Sequence, residues 1–244
     1  MTPCLTVRNL TVNYGPLRAV HGLSLDIAPS ELVFLAGPNG AGKSSMMRAL
    51  AGAVRAAGTV YIQGQPTLGL TPDKIVATGF TLVPEGRDIF GSLSVEENLR
   101  LGAYLRKDRF QIDEDFEFVL DELPALKSRL ADPACLLCGG QQQMLTIGRA
   151  LMTRAKLIAI DEPSLGLAPK VIDQIYEVLM GLRQKRGLTL LIAEQSFNRA
   201  IELDARLLMI SGGRVVKEGA ARELAQNGAL EDSYFGAEEI APCS

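Results

Sequence analysis

The octapeptide Gly37-Pro38-Asn39-Gly40-Ala41-Gly42-Lys43-Ser44 constrains this chain more than any other feature. It fits the phosphate-loop pattern G-x-x-x-x-G-K-[ST] in full. The preceding run, Leu32 to Ala36, is continuously apolar and reads as a strand buried on both faces. The following residues, Ser44 to Ala51, read as a helix. Glycines let backbone N–H groups turn inward around an anion, and the helix adds its positive end. Lys43 can reach β- and γ-phosphates, and the Ser44 hydroxyl can ligate Mg²⁺. Gly37, Pro38, Asn39, Gly40, Ala41, Gly42, Lys43, Ser44 and Ser45 are therefore candidate contacts to a nucleotide triphosphate.

Such a loop needs an acid for the metal. Leu157 to Ile160 is a second buried strand, and it runs into Asp161 and Glu162. Asp161 at the strand end can hold the cation through water. Glu162 can polarise the attacking water as general base. Other strands are expected at Leu5–Val12, Leu23–Ile27, Thr59–Ile62 and Leu188–Ala193, with a hairpin return at Val215-Val216. From about Asp88 to Ala150 the spacing turns helical, over Val95–Tyr104, Glu114–Leu123 and Gln141–Met152, with breaks at Pro124 and Pro133. A further helix is expected from Pro169 to Lys185. Strands alternating with helices around the glycine loop imply an α/β fold.

Composition narrows the function. With 25 lysines and arginines against 28 acids, the net charge is −3. No basic excess is available to grip a phosphate backbone, so no nucleic-acid partner is expected. The longest apolar runs stop far short of the ~20 residues of a spanning helix. The N-terminal stretch has neither a basic nor an apolar leader region, so a cytosolic chain is expected. Cysteines stand at 4, 135, 138 and 243. Cys135 and Cys138 form a C-x-x-C, but the sole histidine is His21, too few ligands for a structural zinc. The pair reads as two unrelated buried thiols, with a redox pair as the alternative. His21 reads as a solvated side chain without a role.

Leu137-Cys138-Gly139-Gly140-Gln141 before a helix, and Ser164-Leu165-Gly166-Leu167 after the acidic pair, resemble the ATP-binding cassette (ABC) family. The first segment resembles its L-S-G-G-Q signature. The resemblance spans about residues 3–236. It implies a single ABC ATPase domain with an N-terminal antiparallel β subdomain, a RecA-like parallel core and a helical signature subdomain at about 88–152, followed by a tail at 237–244. It implies ATP and Mg²⁺ as ligands, and a head-to-tail dimer in which Cys138, Gly139, Gly140 and Gln141 face the nucleotide held by the other subunit. Tyr14 falls where the family stacks an aromatic on adenine. Glu85 falls at the Q-loop, which senses the γ-phosphate and metal and touches the membrane subunit. Gln195 falls at the switch position.

The segments Val83–Arg87, Ser94–Tyr104, Gly139–Met152, Asp161–Pro169 and Ala193–Gln195 resemble more narrowly the shorter ATPase subunit of branched-chain amino-acid importers. Glu85 and Gln195, replacing glutamine and histidine, suit that subgroup, as does the ending Tyr234-Phe235-Gly236. The implied partners are a second ATPase subunit, two membrane permeases and, through them, a periplasmic binding protein. The implied place is the cytoplasmic face of the inner membrane, reached only through the permeases. Importers of urea, amides or other amino acids, or a soluble regulatory ATPase, are the alternatives. Two departures stand out. Cys138 replaces the signature serine, and a thiol is a weaker hydrogen-bond partner than a hydroxyl. Leu203-Asp204-Ala205-Arg206 replaces L-A-D-R, which on a helix would turn the acid about 100° around the axis.

Overall fold

The computed structural model describes residues 2–226. Tyr234-Phe235-Gly236, the tail at 237–244 and Cys243 lie outside them. The chain opens with β1 (Leu5–Tyr14) and β2 (Leu17–Ile27), joined by the expected turn at Gly15-Pro16. They pair antiparallel, and with β4 (Ala56–Ile62) and the short β5 (Gln65–Pro66) they make a four-stranded sheet in the order β2-β1-β4-β5. Leu5, Val7, Leu10 and Val12 all face inward. The alternation skips a residue between Val7 and Leu10, where the register shifts and Asn9 takes φ 51°. One bulge thus keeps a single strand facing the core.

The second sheet has six strands in the order β10-β9-β3-β8-β7-β6. β3 (Leu32–Ala36), β6 (Phe80–Val83), β7 (Leu157–Asp161), β8 (Thr189–Glu194) and β9 (Arg206–Ser211) run parallel, and β10 (Arg214–Ala220) closes one edge antiparallel. The continuous apolar runs are explained by burial on both faces. Leu32, Phe34 and Ala36 pack with Ile158, Ile160, Leu190 and Ile192 on one face. Val33 and Leu35 pack with Leu157, Ala159, Leu191 and Ala193 on the other. There α1 (Lys43–Leu50) buries Met46, Met47 and Leu50 in the same cluster as Leu5, Val7 and Ile62 of the antiparallel sheet. The turn between β9 and β10 reaches both units. The Gly213 N–H donates to the Ala41 carbonyl at 2.9 Å, and the Gly213 carbonyl accepts from the His21 N–H at 2.8 Å. His21 is accordingly half-buried, not solvated as its sequence context suggested.

Between α2 (Pro72–Ala77) and β7 lie α3 (Val95–Leu101), α4 (Arg109–Glu122), α5 (Pro124–Lys127) and α6 (Gly139–Met152). Ser94 and Glu97 start α3 with a capping box. The helix ends at Leu101 rather than Tyr104. α4 begins five residues before the expected Glu114. α7 (Pro169–Arg186), α8 (Asn198–Glu202) and α9 (Ala221–Gln226) complete the described residues. Two expectations are corrected. Asp204 is not on a helix but in the turn after α8, at φ 50°, with its carboxylate 3.6 Å from Arg222. Cys135 and Cys138 are exposed rather than buried.

Gly102 shows how tightly the helices pack. A Cβ there would lie 2.1 Å from the Arg149 carbonyl oxygen of α6. Backbone cannot rotate aside as a side chain can, so α3 and α6 would have to part. Gly102→Ala is expected to cost about 1–3 kcal/mol, read as a lower urea midpoint at unchanged m-value.

Candidate active site

The parallel strands carry the site to one edge of the sheet. The Cα of Ala36 pairs with Glu194, and that of Asp161 with Ala193, so β3, β7 and β8 end level with one another. Ligands of open α/β sheets bind at such carboxyl ends. The loop 37–42 leaves β3 and enters α1 at Gly42, whose φ of 105° suits only glycine. A cleft of about 330 Å³ opens there. Asn39 to Ser45, Glu85, Glu162, Leu165 and Gln195 line it. Residues far apart in sequence thus meet as anticipated; Leu165 is an addition.

Lys43 is 4% exposed. Its Nζ donates to the Gly37 carbonyl at 2.6 Å and the Pro38 carbonyl at 3.3 Å, and stands 3.2 Å from Glu162 Oε1. Gly37 and Pro38 therefore serve through their carbonyls. Glu162 sits at φ 51°, an uncommon conformation for a non-glycine residue, and its N–H donates to the Ala193 carbonyl at 2.9 Å. Burial pushes its carboxyl above the usual range, against the pull of Lys43.

Asp161 is 2% exposed, and its Oδ1 has no hydrogen-bond partner. A buried, unpartnered carboxylate oxygen is costly unless a cation meets it. The Ser44 hydroxyl bonds the same carboxyl, and the charge of Glu85 acts on it. Burial raises its proton affinity first, and Glu85 adds to that. A hydroxyl, a hard carboxylate oxygen and room for water make a donor set that fits Mg²⁺.

The sequence reading passed over Glu194. It is 5% exposed, accepts from Ser164 Oγ at 2.8 Å and Tyr176 OH at 2.9 Å, and burial raises its carboxyl. The available signal was an acid ending an apolar strand, the same signal that marked Asp161.

Other expected contacts lie apart from the cleft lining. Tyr14 ends β1, opposite Leu17, and is 41% exposed. Cys138 to Gln141 form the start of α6, with Cys138 as its N-cap. Gln141 Oε1 accepts the Cys138 N–H at 3.2 Å. The signature glycines have a packing reason beyond their free N–H groups. A Cβ on Gly140 would lie 2.4 Å from Val171 Cγ1 of α7, and one on Gly139 3.2 Å from Arg87 Nη1.

Residues 20–165 match the ABC transporter family. That is more than half of the chain. The chain belongs to the ABC transporter family. It is one of that family's ATPases. It is 40% identical to the high-affinity branched-chain amino acid transport ATP-binding protein BraG of Pseudomonas aeruginosa, over 95% of this chain and 99% of that one. It is 31% identical to the probable branched-chain amino acid transport ATP-binding protein LivF of Archaeoglobus fulgidus, over 93% of this chain and 96% of that one. Among solved structures, an ATP-binding cassette of an ABC transporter in its ADP conformation superposes with a TM-score of 0.85 at 25% identity, covering 99% of this chain and 100% of that one.

In this ABC ATPase the ammonium and the carboxylate are expected to have separable tasks. Lys43→Ala is expected to weaken ATP binding. Glu162→Gln is expected to bind ATP normally and cut turnover by at least about a hundredfold, as measured by nucleotide binding and phosphate release on the same preparations. Cys138→Ser tests the signature departure. A hydroxyl bond to a charged phosphate contributes roughly 1.5–3 kcal/mol, so the serine is expected to tighten ATP at one site of the assembled transporter, read as occupancy per site. A change below about twofold, well under that energy, would make Cys138 a neutral replacement.

Proposed function

We propose that this chain is the ATP-hydrolysing subunit of an importer of branched-chain amino acids, working with a second ATPase subunit and membrane permeases on the cytoplasmic face of the membrane. The observation that carries the hydrolytic part is the constellation of Lys43, Ser44, Asp161 and Glu162 at the common end of β3 and β7. The 40% identity to BraG across nearly both whole chains supports the solute class.

Loop N–H groups of residues 39–44 and the Lys43 ammonium bind the phosphates. Ser44 and, through water, Asp161 would hold Mg²⁺, which supplies charge neutralisation at the β- and γ-phosphates. Phosphate oxygens draw Lys43 away from Glu162. The freed carboxylate, whose proton affinity burial has raised, accepts the proton of the attacking water. Gln195 and Glu85 line the same cleft. The signature at Cys138–Gln141 does not line this chain's own cleft, which supports its serving a nucleotide on the partner subunit.

Among the described residues no helix is long and apolar enough to cross a membrane. A second cleft supports docking on membrane subunits. It lies between β6, the end of α3 and α6, with Leu82, Leu101, Tyr104 and Leu105 in its lining. Tyr104 is 80% exposed and Leu105 48%. Side chains of this kind are expected to cover an apolar partner segment. The test is reconstitution with the cognate second ATPase and permeases. The isolated chain is expected to hydrolyse ATP slowly, with a rise of about tenfold or more on assembly, through completed sites. Leu105→Glu is expected to abolish that rise while leaving ATP binding to the isolated chain intact. Full turnover by a strictly monomeric sample would defeat the dimer reading.

A further inference from the structure

Glu194 has no task in the hydrolytic scheme, yet three elements converge on it. It ends β8, one residue before Gln195. Its Oε2 accepts from Ser164, two residues beyond Glu162, and its Oε1 accepts from Tyr176 of α7. Tyr176 is itself fixed, 3% exposed and stacked on Phe34 at 6.1 Å, with the Arg199 guanidinium 5.0 Å from its ring. Burying a carboxylate is expensive unless its oxygens are satisfied, and an apolar residue would fill the space at lower cost. Here each oxygen takes one hydroxyl.

The segment it holds is the one that carries Glu162. Glu162 keeps its left-handed backbone through its N–H bond to Ala193, and its carbonyl accepts from the Leu165 N–H at 3.1 Å. The Leu167 N–H donates to the Ser164 carbonyl at 3.2 Å. Leu165 faces the cleft, and Leu167 lies against Gly139 of the signature. The Glu162 side chain is tethered by Lys43. Phosphate takes that tether away at the moment the carboxylate must be in place.

We propose that Glu194 is a positioning residue for ATP hydrolysis: gripping Ser164 and Tyr176, it fixes the turn after Glu162, so that the base holds its place once Lys43 has moved to phosphate. The inference rests on Glu162 being the base. Its role is to hold geometry, and small displacements of a reacting group are costly in rate.

The experiment measures kcat and KM for ATP, with thermal midpoints, in the assembled transporter. The variants are Glu194→Ala, Glu194→Gln, Ser164→Ala, their double and Glu162→Gln. Glu194→Ala and Ser164→Ala are expected to lower kcat by about tenfold or more with KM within about threefold, since only the transition-state geometry suffers. Glu194→Gln keeps shape and one acceptor, and is expected to recover most of the loss. The Glu194→Ala/Ser164→Ala double is expected to be no worse than the poorer single, as for two ends of one contact. Parent-like kcat in Ser164→Ala, or a loss confined to KM and thermal midpoint, overturns the proposal. Ser164→Ala decides it if Glu194→Ala does not fold. Dead Glu162→Gln beside parent-like Ser164→Ala sinks the Glu194 role alone; parent-like Glu162→Gln sinks the base assignment and this inference together.

Discussion

Parallel strands put all their carboxyl ends on one edge, and this chain depends on that fact. β3, β8 and β7 stop level, so the loop after β3, the acids Asp161 and Glu162 at the end of β7 and the Glu194-Gln195 pair at the end of β8 meet although the three segments are far apart in sequence. Register is what aligns them. A slip of one residue in any strand would turn its inward side chains to the other face and carry its carboxyl end out of line. The buried faces on both sides enforce that register, because each strand divides its side chains between two separate cores.

The edge so assembled is electrostatically unbalanced. Asp161, Glu162 and Glu194 are all buried, with Lys43 the buried cation beside them. Burial raises all three carboxyls above their ordinary range. A carboxyl that holds its proton more tightly in the fold than in the open chain favours the fold at low pH. That contribution fades as pH rises through the raised values. At neutral pH the ionised carboxyls therefore weaken the fold, and binding of a cation to them would relieve this by mass action. The same imbalance makes the site receptive: the buried negative charge that costs stability is what a divalent ion would meet on entry.

Much of this was legible in the sequence, for physical reasons. A strand buried on both faces must be apolar throughout, so β3, β7 and β8 were visible as runs. A loop that wraps phosphate needs glycine at positions such as Gly42, so the motif declared itself. What stayed hidden was either short or decided by tertiary contact. β6 has four residues and takes its place by pairing with β7. α3 stops at Leu101 because from Gly102 onward the N–H groups bond back three residues rather than four, over Gly102 to Tyr104, a tightening that the apolar spacing does not show. Exposure of Cys135 and Cys138 and half-burial of His21 depend on which surfaces meet. Glu194 was overlooked because an acid at a strand end is ambiguous until its partners are seen.

The turn at Gly212-Gly213 gives the molecule a joint. One residue there, Gly213, donates its N–H to Ala41 in the phosphate loop and accepts at its carbonyl from His21 in the antiparallel sheet. The loop is therefore not a free flap on its strand but one leg of a three-legged stool. Anything that tightened it around phosphate would act on the other two legs. The amide of His21, well outside the cleft, is the far end of that chain of bonds, and its exchange with solvent is expected to slow when a nucleotide seats.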